Sequence, residues 1–212
     1  MIFVVKNIYN KLAHFECAVL FFFLMLAAPV LRADITGSAH DFSARGWGTG
    51  NVCTVCHTPH NSNTTVRNSP LWNHTITVAT FTPYSSTTLN ATVGQPDGVS
   101  KLCLSCHDGT VAVDSFGGRV GSVISHGFGG TNLRHHHPVS FVYDSALAAE
   151  DGELHDPTTQ VTALGGTIAH DLLVGGKLEC SSCHDVHNTY NNRKLFKISD
   201  QRSALCLTCH DM

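Results

Sequence analysis

Apolar positions are unevenly distributed along the chain. One long uncharged run, Ala18–Leu31 (AVLFFFLMLAAPVL), follows Lys6 and Lys11. As a helix it would span roughly 21 Å, short of the about 30 Å of a bilayer core. Leu31-Arg32-Ala33 ends the run on a small residue. A basic start, a short apolar stretch and a small-residue end predict a secretory signal peptide over residues 1–33, with an uncleaved anchor as the alternative. No later run is long enough to span a membrane, so the mature form, 34–212, is expected to be exported and free of membrane spans.

Beyond the leader, hydrophobic residues come in short bursts between Gly, Ser, Thr and Asn. The pattern predicts a helix from Ser145 to Glu150, stopped before Gly152, and short strands at Thr75–Thr80 and Val139–Tyr143. The polar stretch Ser62–Gly98 reads as mostly loop, and residues 109–179 as a Gly-rich insert. The fold class is therefore mostly irregular, with short helices and few short strands.

Composition narrows the chemistry. Nine Cys and fifteen His stand beside thirteen Lys+Arg and sixteen Asp+Glu, for a net charge of −3. An acidic balance argues against a nucleic-acid partner, which a basic face would have to neutralise. Cys17 leaves with the leader. The remaining eight cysteines fall as Cys53-Thr-Val-Cys56-His57, Cys103-Leu-Ser-Cys106-His107, Cys180-Ser-Ser-Cys183-His184 and Cys206-Leu-Thr-Cys209-His210. C-x-x-C-H is the attachment sequence of c-type haem. Its two thiols reach the vinyl groups of one porphyrin edge as thioethers, and the following imidazole ligates the iron. Zinc sites need no His after each Cys pair, disulfides would not select one pentapeptide four times, and a thioredoxin-like motif normally occurs once. The expectation is four covalently bound haem c groups, anchored by these eight cysteines, with His57, His107, His184 and His210 as proximal ligands. A short helix is expected around each motif.

The motifs repeat in A-B-A-B order. The first and third share C-x-x-C-H-x-x-H-N, ending at His60-Asn61 and His187-Asn188, and the second and fourth share L-C-L-[ST]-C-H-D. Two two-haem repeats, about 40–110 and 175–212, are thus joined by the loop-rich insert. The mature chain is poor in aromatic residues, so the haems are expected to serve as the core, with polypeptide wrapped around them.

Haem iron of this kind takes His, Met or nothing as sixth ligand. Of the three methionines only Met212 lies beyond the leader, which leaves histidine. His60 and His187 occupy equivalent repeat positions, too close to their own proximal His to reach the far face of the same iron. His137 precedes Pro138, which holds it extended. His40 and His74 complete the distal candidates. His135 and His136 read as exposed companions, and His126, His155 and His170 as loop residues.

The blocks AHDFS, CHTPHN, PLWNH, TVGQPDGVSKLCLSCHDGTVA, HPVSF, LGGTI and ECSSCHDVHN…LCLTCH resemble the paired-C-x-x-C-H multihaem cytochromes of metal-reducing bacteria. They are especially similar to four-haem outer-surface cytochromes that assemble into conducting filaments. The resemblance covers the chain from about Ala39 onward. It implies bis-histidine, low-spin, low-potential haems stacked in a line, and a His60 that ligates a haem of the neighbouring subunit.

Iron with both axial positions filled by imidazole does not readily bind substrate. The expected function is therefore outer-sphere electron transfer outside the cytoplasmic membrane, toward other redox proteins, extracellular metals or an electrode, without substrate turnover and with no catalytic residue. A soluble periplasmic shuttle is one alternative. A multihaem reductase, which needs one open iron position, is another.

Overall fold

The computed structural model describes residues 35–67, 69–125 and 130–211; the predicted leader and His126 lie outside them. Regular structure is sparse. Five short α-helices are present among the described residues, besides four single 3-10 turns: α1 (Gly98–His107), α2 (Ser145–Asp151), α3 (Ile168–Asp171), α4 (Cys180–Cys183) and α5 (Ala204–Cys209). A two-stranded antiparallel sheet pairs β1 (Phe141–Val142) with β2 (Lys177–Leu178), Phe141 opposite Leu178. The architecture is mostly loop. None of the described helices is long and apolar enough to cross a membrane.

The local chemistry explains these limits. Asp144 caps α2 by accepting from the Leu147 amide at 2.9 Å, and Gly152 ends it in the left-handed region at φ 77°. Only Gly takes that conformation without strain, so the helix stops where the sequence places one. Val139–Tyr143 supplies a strand of two residues. Thr75–Thr80 forms none, because its amides find partners other than a ladder: Thr75 donates to the Ser115 carbonyl, Thr77 to Ser105 Oγ and Ala79 to Thr77 Oγ1. Side-chain acceptors of this kind compete with sheet pairing.

Helices form at three of the four C-x-x-C-H motifs. At the first the chain makes a single turn, closed by the His57 amide on the Cys53 carbonyl at 2.8 Å. Pro59 follows two residues later and restricts Thr58 to extended conformations, so no helix propagates.

Three separate apolar clusters replace a single core. The largest joins Phe141, Tyr143, Leu147, Ala148, Ile168, Leu172, Leu178 and Ile198. It is drawn mainly from the insert, which therefore packs rather than merely linking the repeats. The second unites Val66, Trp72, Ile76 and Leu102, and the third Phe81, Leu104 and Leu133. Leu102 and Leu104 place α1 against both smaller clusters, and most of their other members come from the stretch read as loop.

Candidate haem-attachment sites

All four motifs present their cysteines by the same local device. In the first, third and fourth, the His amide bonds back to the carbonyl of the first Cys: His57 to Cys53 at 2.8 Å, His184 to Cys180 at 3.0 Å and His210 to Cys206 at 3.0 Å. The second lies within α1. One α-turn brings both thiols of a pair to one side. The eight cysteines are free thiols. Burial raises the second thiol of every pair, to about 11 at Cys56 and Cys183 and about 12 at Cys106 and Cys209.

The A-type motifs share a second device, which motif matching did not reveal. His57 Nδ1 meets the Pro70 carbonyl at 2.6 Å, and His184 Nδ1 meets that of Lys194 at 2.9 Å. Each His forms a bridge to the aromatic residue two places further on, Trp72 or Phe196. Thr58 and Asp185 donate to the carbonyls of Leu71 and Leu195; Asn73 and Lys197 donate to those of Cys56 and Cys183. Asn61 and Asn188 both take positive φ (56° and 55°), as do Leu71 and Leu195 (51° and 59°). Each segment, Pro70-Leu71-Trp72 or Lys194-Leu195-Phe196, thus engages Nδ1 and leaves Nε2 for a ligand. The signal was present as x-Leu-[Trp/Phe] after each C-x-x-C-H-x-x-H-N, but the two spacings differ.

Three imidazole pairs test whether iron fits. An imidazole nitrogen lies about 2 Å from a bound transition metal, which sets the ring centroids of two opposed ligands roughly 6 Å apart. His40 and His107 stand 5.9 Å apart, His57 and His187 6.2 Å, and His137 and His210 6.3 Å. Every pair joins one motif histidine to one histidine outside the C-x-x-C-H pentapeptides. Burial lowers the pKa of His40, His107 and His210, with further lowering from the fields of neighbouring histidines. Neutral imidazole, the form so favoured, is the ligating form. Around the pairs, Asp185 lies 3.6 Å from His187 Nδ1, and His137 Nδ1 meets the Pro138 carbonyl at 2.9 Å. Beside His137 opens a small, mostly apolar groove lined by Pro83, Tyr84, Pro96, Leu133 and Val139. The residues present fit haem.

His60 is exposed. His74 is 1 % exposed, and its nitrogens meet carbonyls, Nδ1 that of Thr75 at 2.7 Å and Nε2 that of Ala112 at 3.0 Å. Its ring lies against Trp72. In the second repeat Ile198 occupies the equivalent position. The ring of His184 packs on Phe196 at 4.8 Å.

Thiols of successive motifs influence one another: beside burial, Cys56 raises the Cys106 thiol, Cys180 that of Cys103 and Cys206 that of Cys183. A glutamate that motif reading overlooked, Glu179, sits buried at the central junction.

No curated protein matches the chain. Residues 170–212 match the family described as "Doubled CXXCH motif". That match covers the third and fourth motifs, and it supports a multihaem c-type cytochrome that binds haem c covalently and acts in electron transfer.

Proposed function

We propose that the protein is a four-haem electron conduit that works outside the cytoplasmic membrane. The observation that carries this reading is the set of three imidazole pairs at metal-bridging distance, each including the histidine of a C-x-x-C-H motif. Cys53 and Cys56 with His57 and His187 hold one haem; Cys103 and Cys106 with His107 and His40 hold the next. Cys180 and Cys183 with His184 hold the third, and Cys206 and Cys209 with His210 and His137 the fourth. When bound, haem supplies one-electron chemistry. The chain's part would be to supply the imidazole ligands, with the rings of His57, His137 and His184 fixed through Nδ1.

The order of the thiols supports a line of haems in motif sequence, with polypeptide wrapped around it. Electrons would enter from a partner redox protein and leave toward another, or toward an extracellular metal. Exposed His60, which has no role in the three pairs, is available to a haem of a neighbouring copy, and on that basis we assign the protein to a filament rather than a soluble shuttle. A multihaem reductase would need an open iron, and His184, packed on Phe196, is where it would lie.

Intact mass and ferric electron paramagnetic resonance of the haem-loaded protein test this reading. Four haems are expected, with only low-spin signals in the assembled protein, where His60 of a neighbouring copy would complete the site at His184. Fewer than four haems would overturn it, and a high-spin signal would favour the reductase. His60→Ala should retain four covalent haems and lose filaments; intact filaments would exclude the role of His60.

A further inference from the structure

Glu179 is a buried acid, 2 % exposed, immediately before Cys180. Its Oε2 accepts from the Ser100 amide at 3.1 Å, from the Ser100 hydroxyl and from the Ser140 hydroxyl at 3.0 Å. Ser100 lies one helical turn before Cys103 on α1, and its hydroxyl also accepts from the Cys180 amide at 3.0 Å. One carboxylate thus ties the helix that anchors the second haem to the helix that anchors the third. Gly98, at φ +48°, admits it: a Cβ there would lie 2.9 Å from Oε1.

The charge state follows from the partners. Burial pushes the Glu179 carboxyl above its ordinary range and the charge of Asp97 adds to this, while three donors on one oxygen, from Ser100 and Ser140, oppose the rise and favour the ionised form. The nearby cation is engaged elsewhere, since Lys177 Nζ pairs with Asp97 at 2.5 Å. The carboxylate is held by neutral dipoles alone.

We propose that Glu179 is a buried negative charge that lowers the reduction potentials of the two central haems, those anchored at Cys103/Cys106 and Cys180/Cys183. The assignment rests on the reading of the chain as a four-haem cytochrome. Reduction of either iron, by one electron from a partner redox protein, removes one positive charge from beside the carboxylate. A fixed anion in a medium of low dielectric opposes that loss and holds the ferric state. Glu179 is a positioning and electrostatic residue; it ligates no iron.

The test uses the haem-loaded full chain. Intact mass establishes four haems first; a wild-type protein with fewer would defeat the functional reading, not this assignment. Glu179→Gln keeps the shape and removes the charge. Four haems with two potentials shifted positive are expected in a potentiometric titration, and Glu179→Asp should return them toward the wild-type values. A four-haem Glu179→Gln protein that titrates like wild type would overturn the proposal. Should Glu179→Gln load fewer haems, the wild type still decides. Beyond the leader the glutamates are Glu150, Glu153 and Glu179, the first two exposed. With ¹³C-labelled glutamate, the reduced-minus-oxidised infrared difference spectrum should show a labelled carboxylate band. A spectrum without one would equally overturn the assignment.

Discussion

The two repeats place their motif histidines alike and pack them differently. In both A-type motifs a carbonyl engages Nδ1 of the histidine, from Pro70 in the first repeat and Lys194 in the second. In both B-type motifs the residue before the second Cys bonds back to a helix carbonyl at 2.8 Å, Ser105 to Lys101 and Thr208 to Ala204. Around these shared parts the surroundings diverge. In the first repeat α1 has ten residues and buries both Leu102 and Leu104, whereas α5 has six and leaves Leu207 41 % exposed. Trp72 and His74 stand where the second repeat has Phe196 and Ile198. Backbone geometry that presents a thiol pair and an imidazole tolerates little change; the packing behind it can follow whatever neighbours each repeat has.

The largest expected effect separates the two B motifs. Cys103→Ala/Cys106→Ala and Cys206→Ala/Cys209→Ala should each remove one haem, seen as the same loss of mass. Their stabilities should differ widely. Loss of haem at α1 disturbs a helix held between two apolar clusters and tied to Glu179, so more than about 4 kcal/mol is expected to go. At the more exposed α5 the loss should be less than half of that. Similar melting of the two variants would show that haem, rather than side-chain packing, holds both regions equally.

A finer probe uses matched leucines. Leu104 is 4 % exposed and packs on Phe81 and Leu133, while its counterpart Leu207 is largely open. Leu104→Ala should destabilise by about 2–5 kcal/mol in denaturant unfolding, because it leaves a cavity as well as losing buried area. Leu207→Ala should stay below about 1 kcal/mol. A large effect at Leu207 would mean that a haem face or a second chain covers it in the loaded protein.

Such contrasts mark what the sequence could carry. The cysteines and motif histidines were legible because C-x-x-C-H is a local pattern whose chemistry fits within one helical turn. The helix at Ser145 was legible through its Asp144 cap and the stop at Gly152. Pairing was not: nothing in local spacing tells that His57 faces His187 or that His40 faces His107, since those contacts depend on how distant turns pack. His74 resembles a ligand in its Trp-Asn-His context, and its surroundings were not legible: its buried ring lies between the Thr75 and Ala112 carbonyls, with Nε2 also 3.5 Å from Cys106 Sγ. The third bond to Oε2 of Glu179 comes from Ser140, far away in sequence, so the acid reads as an ordinary residue before a motif. Thr75–Thr80 has the residues of a strand, but its amides find hydroxyls and a loop carbonyl instead of a ladder.

The smallest effect lies at the aromatic residue behind each A-type histidine. Trp72 is 9 % exposed, stands edge-on to His57 at 6.4 Å and, among the described residues, gives its buried Nε1–H no acceptor. Phe196 lies closer to its histidine, 4.8 Å from His184, and has no such donor. Trp72→Phe removes apolar contact but also removes an unsatisfied N–H, whose burial costs about 1–3 kcal/mol. The two terms oppose each other, so the variant should lie within about 1 kcal/mol of wild type with all four haems retained. Phe196→Trp must force a larger ring into a tighter space and should cost about 1–3 kcal/mol. Denaturant unfolding of the haem-loaded variants measures both. A Trp72→Phe loss well above that range, with haem count intact, would mean that the indole N–H donates to a group the cofactor brings, such as a propionate, and that the first repeat uses its tryptophan as a polar anchor for which the second has no equivalent.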